Sequence, residues 1–243
     1  MYYLFIFLYL DFMSWEQLKR DFYSVGTTGL LKDLFIRIVN LFTFFKVLHC
    51  LAIEETALHH EIKELHPAYT DRFLTQEEVE TFLQDEVTRM PEYVVELGMN
   101  KLDDCLGLLD NGRLINYCWY SDLPTRLNRN LEVHFNPEYK YAYRSYTIIP
   151  FRGQRLQGLN LYHALKNYQL KGYKGIVAYV DSNNFNSLRS LDHLGFDLFE
   201  RIIIIKFLNT YYVFKPFGDT PYQFKIQLTD DASKKYKLKT ITI

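Results

Sequence analysis

The stretch TIIPFRGQRLQG, residues 147–158, combines the residue types of an anion-binding turn. β-Branched residues lead into a proline, and an amphipathic pattern over residues 157–171 follows the turn. This order predicts a strand, a turn and a helix, whose first backbone N–H groups lack internal partners and carry partial positive charge. Arg152 and Arg155 add permanent charge suited to phosphate, and the glycines let an anion approach the main chain. Phosphate binding is therefore predicted, although an ordinary turn with two solvated arginines has the same composition.

Further elements surround this turn. GIVAYV at 175–180 predicts a strand, and SNNFNSLRSLDHLGF after it predicts a turn and a short helix capped by Ser182 or Asn184. CLGLLDNGRLINYCWYS at 105–121 places Asn-Gly between two apolar runs, which predicts a tight β-hairpin. Together with a strand at 45–53, these patterns indicate a mixed α/β sheet with helices on its faces.

Taken together, IIPFRGQRLQ and YVDSNNFNSLRSLDHLGF resemble the acetyl-CoA signature of the GCN5-related N-acetyltransferase superfamily, and the similarity runs from about residue 45 to 217. The residues that stand at the family's usual intervals are Arg152, Gly172, Asn184, Ser187, Gly195 and Phe196. The resemblance implies an acyl-CoA N-acyltransferase-like α+β fold with a mixed, mainly antiparallel central sheet and flanking helices. It also implies direct attack of an amine on acetyl-CoA, which would be a co-substrate.

The resemblance further implies which residues meet acetyl-CoA. Backbone amides of the turn would hold the diphosphate, the end of the preceding strand would bond the pantetheine arm, and two side chains would lie near the thioester. These residues are Ile148, Ile149, Arg152, Gly153, Gln154, Arg155, Leu156, Gln157, Gly158, Asn184 and Ser187. For the catalytic base the candidates are Asp122, Glu132 and Tyr146, with Tyr143 and His134 beside them.

The sequence departs from the family signature at two places. Arg155 and Gln157 stand where the signature has glycines, and Leu191 stands where the family often has a tyrosine that serves as general acid. Two hypotheses therefore remain open. The chain is an N-acetyltransferase acting on an amine of a small molecule or protein, or it is a catalytically silent module of the same fold that binds CoA or a protein partner.

Composition excludes several other classes of function. The formal net charge is −1, so no basic face for nucleic acid is expected. Three cysteines without CxxC spacing argue against disulfides and a zinc knuckle and favour a cytoplasmic location. His60 and His66 stand six positions apart, whereas a zincin helix needs four, so we expect no metal site.

The N-terminal region is predicted to be helical, over residues 14–24 and 29–45. The apolar opening stops at Asp11, too short to span a bilayer, and is either a buried segment or an upstream start before Met13. The second helix would pack on the core or form a homodimer. The predicted organisation is a helical extension (1–44), an acyltransferase-like domain (45–217) and a C-terminal tail (218–243).

Overall fold

The structure is a computed structural model that describes residues 15–54, 66–216, 218 and 220–243, without the side chains of residues 15–25 and 30. Its first helix, α1 (Trp15–Phe42), is broken at Gly26, whose φ of 67° and ψ of −172° are not helical. The two halves correspond to the two helices expected from the sequence. Several apolar side chains of the second half are exposed, among them Leu31, Phe35 and Phe42. A homodimer through this helix stays a prediction.

The remaining elements alternate between strands and helices. The helices are α2 (Gln76–Leu83), α3 (Glu92–Lys101), α4 (Leu156–Leu170), α5 (Phe185–His193) and α6 (Asp230–Ser233). The strands are β1 (Phe45–Glu54), β2 (Tyr69–Phe73), β3 (Asp104–Asp110), β4 (Arg113–Ser121), β5 (Thr125–Arg126), β6 (Leu131–His134), β7 (Tyr139–Thr147), β8 (Gly175–Asp181), β9 (Asp197–Phe207), β10 (Thr210–Lys215), β11 (Lys225–Leu228) and β12 (Lys237–Thr242).

Nine of these strands form one mixed, mainly antiparallel sheet in the order β12-β10-β9-β1-β8-β7-β4-β3-β2. Only the pairs β7–β8 and β10–β12 are parallel. β1, the first described strand of the chain, lies in the middle of the sheet between β8 and β9. A smaller sheet, in the order β11-β6-β5, packs beside it. The fold class expected from the sequence is confirmed.

Local sequence signals place several elements where they were expected. Thr75 and Glu78 form a reciprocal capping box at the start of α2. Asn111 and Gly112, with φ of 48° and 81°, make the turn of the β3–β4 hairpin. α4 ends at Leu170, just before Gly172.

The two faces of the large sheet are covered differently. α4 and α5 pack on one face, which we call the helical face, over a core that includes Leu161, Leu165 and Tyr168. α2, α3 and the small sheet cover the other, which we call the aromatic face because Trp119 and Tyr141 lie in its core. The cavity described below connects the two faces.

The C-terminal segment contributes strands to both sheets. β11 pairs with β6 in the small sheet, and β12 runs parallel to β10 at the edge of the large one. The predicted boundaries at residues 44 and 217 stay predictions. None of the described helices has the length and apolar composition that crossing a lipid bilayer requires. Residues 1–12 and His60 lie outside the described part of the chain.

Candidate functional site

The strands β7 and β8 diverge in the middle of the sheet. They pair only from Tyr139–Gly175 to Ala142–Ala178. Beyond that point residues 143–147 follow β4, and residues 179–181 follow β1 on the far side. Residues 143–147 and 179–181 therefore do not pair with each other, although their backbones lie on neighbouring strands. A gap opens between the two strands at this point.

A β-bulge in β7 coincides with the start of this gap. Tyr143 pairs with Trp119 and Tyr146 with Tyr117, so that Arg144 and Ser145 both stand opposite Cys118. Arg144 has a φ of 50°, which is rare for a residue with a side chain. Such a bulge bends its strand and turns local backbone groups away from the ladder. The bulge accounts for the divergence of β7 from β8.

A cavity of about 950 Å³ passes through the gap. On the helical face its lining includes Cys118, Ala142, Gln157, Leu161, Ala178, Asn184, Ser187 and Leu191. On the aromatic face it includes Tyr93, Glu96, Leu97, Asn100, Arg126, Leu127, Asn128, Arg129, Tyr141, Tyr143, Tyr179 and Asp181, with Arg144 and Ser145 at the bulge.

The turn at residues 150–158 leaves its backbone amides free. Gly153 has a φ of 82° and Arg155 a φ of 61°, and α4 begins at Leu156 without a side-chain cap. Within the described residues, the N–H groups of 153–158 make no hydrogen bond of ordinary geometry to a backbone or side-chain acceptor. Unpaired amides at a helix start form a site for an anion. The side chain of Arg155 is exposed and that of Gln157 lines the cavity.

The other predicted residues of the turn occupy its rim. The Nε of Arg152 donates to the carbonyl of Thr147 at 3.2 Å, and its guanidinium lies 5.4 Å from the ring centroid of Tyr146. The Oε1 of Gln154 accepts from the hydroxyl of Tyr69 at 3.0 Å. Both side chains are exposed beside the free amides.

The two isoleucines before the turn differ in their surroundings. Ile148 is buried, and its N–H donates to the carbonyl of Ile115 at 3.0 Å, so this N–H is not available to a ligand. Ile149 is about half exposed at 52%. The backbone groups that face the gap belong to residues 143–147, just before these isoleucines.

Asn184 and Ser187 lie together in the cavity lining, as their spacing predicts. The side chain of Asn184 caps α5 by accepting from the N–H of Ser187 at 3.3 Å. This leaves the Asn184 amide nitrogen and the Ser187 hydroxyl as polar groups at the cavity. Leu191, one turn further along α5, is buried against the same cavity and provides no proton donor.

None of the three first candidates for a base lines the cavity. The carboxylate of Asp122 accepts from the hydroxyl of Tyr173 at 2.9 Å and lies 3.4 Å from Lys140. Burial alone would raise the pKa of Asp122, but the Tyr173 hydroxyl and the Lys140 ammonium outweigh it and lower this pKa below its ordinary value. The carboxylate of Glu132 instead bonds His134 at 2.6 Å.

The third candidate, Tyr146, faces the aromatic core. Its ring lies 6.0 Å from that of Tyr117, and its buried hydroxyl has no partner among the described residues. Tyr143, in contrast, lines the cavity and donates its hydroxyl to Asp103 at 2.7 Å. Burial, and then the charge of Asp103, raise the pKa of Tyr143, so this phenol remains protonated and forms a wall of the site.

The position of Tyr143 depends on a polar cluster that the sequence did not reveal. The side chain of Asp103 is fully buried, and it accepts from Ser121 at 2.6 Å and lies 3.3 Å from the ammonium of Lys101. Lys101 also donates to Ser121 at 2.9 Å and to Thr125 at 2.8 Å. Burial lowers the pKa of Lys101, whereas Asp103 opposes that change. The cluster ties α3, β4 and β7 together beside the cavity.

Helix α3 is the second feature that sequence inspection missed. It places Tyr93, Glu96 and Asn100 along the cavity. A Cβ at Gly98 would come within 2.4 Å of the Trp119 ring, so only glycine allows the helix to lie this close to β4. The available signals were Pro91 and Glu92 at its start and apolar residues at helical spacing.

Solved structures are similar to this chain in three dimensions. An acetyltransferase of the GNAT family from Colwellia psychrerythraea is 17% identical, with a TM-score of 0.49 over 72% of this chain and 62% of its own. A GCN5-related N-acetyltransferase-like protein from Streptococcus suis is 14% identical, with a TM-score of 0.48 over 72% of this chain and 66% of its own. A Drosophila protein is 14% identical, with a TM-score of 0.49 over 76% and 58% of the two chains.

The chain thus spans about 58–66% of the length of these solved proteins. No protein-family model and no curated protein matches its sequence. Among the described residues, no group of His, Cys, Asp or Glu side chains is arranged to hold a metal ion.

Proposed function

We propose that the protein is an acyl-CoA-dependent N-acyltransferase that moves an acetyl group from acetyl-CoA to a primary amine. The observation that supports this most strongly is the cavity through the β7–β8 gap, with the uncapped start of α4 at one end. The free amides of residues 153–158 suit the CoA diphosphate. The unpaired edge of residues 143–147 suits the amides of the pantetheine arm, because buried backbone groups need hydrogen-bond partners.

In the proposed reaction the lone pair of a neutral amine attacks the carbonyl carbon of the thioester. Backbone N–H groups at the bulge of Arg144 and Ser145 stabilise the negative oxygen. This attack forms the C–N bond, and the nitrogen loses its proton to a base. Collapse of the tetrahedral intermediate then restores the C=O bond, breaks the C–S bond and releases the thiolate. Because a thiol has a pKa of only about 8.5, water can protonate this leaving group although Leu191 cannot.

Direct transfer is favoured over an acyl-enzyme. Cys118 is the only cysteine in the cavity lining, and burial raises the pKa of its thiol to about 12. The thiol is therefore protonated at neutral pH and is a poor nucleophile.

Glu96 is the carboxylate that we propose as the base. It lies in the cavity lining on the aromatic face and has no ion pair or hydrogen bond with other described residues. The other carboxylate there, Asp181, is bound by the ammonium of Lys46 at 2.6 Å. The carboxylate of Glu96 is therefore the one of the two that is open to a bound amine.

A second candidate function is supported by Leu191, which places an apolar side chain where the family often has its acid. In that case the protein binds CoA without turnover.

Thermal melting with and without millimolar acetyl-CoA tests binding. A ligand at a hundred times its dissociation constant stabilises the folded state by about 2.7 kcal/mol, which predicts a rise in melting temperature of roughly 5–10 °C. The absence of any rise would contradict both candidates. Thiol release with a panel of amines then separates them, because a rise without thiol release supports the silent module.

A further inference from the structure

The part of the cavity on the aromatic face carries charged side chains that acetyl-CoA binding does not use. Arg126 is the last residue of β5, Arg129 lies in the loop between β5 and β6, and Arg144 lies at the bulge of β7. Glu96 on α3 and Asp181 at the end of β8 supply the opposite charge. A mouth with both signs of charge is suited to a ligand that itself carries both.

Arg126 and Arg129 are exposed and form no ion pair with any described carboxylate. Arg72, in comparison, lies 2.5 Å from Glu78. The carboxylate opposite Arg126 in the strand ladder, Glu132, is held by His134 instead. The planar fork of donors on each guanidinium is therefore free to bind an anion.

The loop that follows Arg126 and carries Arg129 is held in place by hydrogen bonds. The Oδ1 of Asn128 accepts from the N–H groups of Asn130 at 2.8 Å and Leu131 at 2.9 Å. The side-chain amide of Asn130 donates to the hydroxyl of Tyr211 at 2.9 Å, and the backbone carbonyl of Asn130 accepts from the N–H of Thr229 at 3.0 Å. A fixed loop lowers the entropy cost of binding, which distinguishes this site from arginines on a mobile segment.

Between the loop and the gap, the cavity has a wall of tyrosine rings. The ring of Tyr141 stacks with those of Tyr143 and Tyr179, at centroid distances of 6.1 and 6.3 Å. Such rings offer flat apolar contact to the body of a small molecule. The arrangement therefore consists of free arginines, an aromatic wall and a carboxylate, all around one cavity.

We propose that the acceptor is a small primary amine that also bears a carboxylate, a molecule of the amino-acid class. Arg126 and Arg129 bind its carboxylate, and Glu96 receives the proton of its amine. The planar guanidinium forks match a carboxylate in a bidentate arrangement, and Glu96 supplies the opposite charge for the amine end of the same molecule. The inference rests on the proposed acyl transfer for the identity of the other substrate.

Matched pairs of amines that differ only in the carboxylate test this inference. Thiol release from acetyl-CoA is measured with each of the standard amino acids and with its decarboxylated amine, for example phenylalanine against phenethylamine and lysine against 1,5-diaminopentane. We expect kcat/KM to be at least tenfold higher for the carboxylated member of the accepted pair, because charge-assisted hydrogen bonds are lost without it. Equal rates, faster decarboxylated amines, or turnover only of peptides would overturn the inference.

Variants of Arg126 and Arg129 test whether these two side chains cause the preference for carboxylated amines. The double variant Arg126→Gln/Arg129→Gln is expected to lower kcat/KM for the carboxylated amine ten- to a hundredfold, mainly through KM, and to leave the decarboxylated amine unaffected. Arg113→Gln removes one positive charge by the same substitution from the exposed β3–β4 hairpin, outside the cavity, and should change neither rate. An equal loss for both amines, or no loss for either, would contradict the assignment.

A binding experiment separates this inference from the acyl transfer. If no amine supports thiol release, calorimetric titration of the same pairs into the CoA-loaded protein replaces the rate, and into the unloaded protein if acetyl-CoA does not bind. Tighter binding of the carboxylated members that disappears in the double variant would support the acceptor site even where turnover fails. Equal binding of the two members, or no binding of either, would overturn it.

Discussion

The two halves of the cavity are built from the chain in different ways. Apart from Cys118 of β4, the lining on the helical face comes from one contiguous segment, β7 to α5, and offers main-chain amides and neutral side chains such as Gln157, Asn184 and Ser187. The half on the aromatic face comes from separate segments, α3, the β5–β6 loop and the strand ends, and offers tyrosines and charges.

Because of this difference, we expect the two halves to respond differently to side-chain substitutions. Main-chain amides bind an anion whatever the side chains, provided that these point away, so the proposed diphosphate site does not itself require glycine at positions 155 and 157. The aromatic half binds through side chains, so substitutions change its specificity directly. We therefore expect variants to separate acetyl-CoA binding from acceptor use.

The largest expected effect comes from Gly98→Val. The added side chain would overlap the Trp119 ring, because a Cβ already lies within 2.4 Å of it, and would push α3 off the cavity. We expect a loss of about 1–3 kcal/mol in the free energy of unfolding, from chemical denaturation, and a loss of amine turnover of roughly tenfold or more.

Acetyl-CoA should still raise the melting temperature of the folded Gly98→Val protein. Glu92→Val serves as the control, because it puts the same side chain at an exposed position of α3. Loss of the acetyl-CoA effect together with turnover would show that the two halves are not separable.

A smaller effect, on the opposite half, is expected from Arg152→Glu. The new negative charge beside the free amides should weaken acetyl-CoA binding by about tenfold in a calorimetric titration. The melting temperature of the unliganded protein should change little, because Arg152 is exposed and exposed polar contacts contribute about 1 kcal/mol or less. Arg113→Glu is the matched control on the hairpin. A large fall in unliganded stability would instead give Arg152 a structural role.

The smallest effect is expected from Asp122→Asn, outside both halves. Because Tyr173 and Lys140 lower the pKa of this carboxyl in the folded state, its contribution to stability is present above the ordinary aspartate range and is lost as the pH falls through the lowered pKa. The variant should be less stable than the parent by under about 1 kcal/mol at neutral pH and equal to it in acid. Turnover at neutral pH should stay unchanged, and a strong loss of turnover would make Asp122 a candidate for the catalytic base again.

The helical half could be predicted because its signals are local. A strand, a turn with glycine and arginine, a helix and an Asn-x-x-Ser helix cap follow one another within residues 143–193, and each element forms where its own residues favour it. The hairpin at Asn111 and Gly112 was predictable for the same reason.

The aromatic half could not be predicted, because distant contacts form it. β5 has two residues and β11 four, too short for a periodic pattern, and β11 meets β6 from far along the chain. α3 contains Gly98, which is unfavourable in an isolated helix and is explained only by Trp119. The strand β1 was predicted, but its place between β8 and β9 depends on pairing across most of the chain.

Amide hydrogen exchange with and without acetyl-CoA tests the central claim most directly. If the diphosphate binds the start of α4 and the pantetheine arm lies in the β7–β8 gap, exchange should slow at the free amides of 153–158 and along 143–147, while β9 and β10 stay unchanged. Binding of acetyl-CoA that leaves the exchange of both stretches unaltered would place the ligand elsewhere and contradict the account.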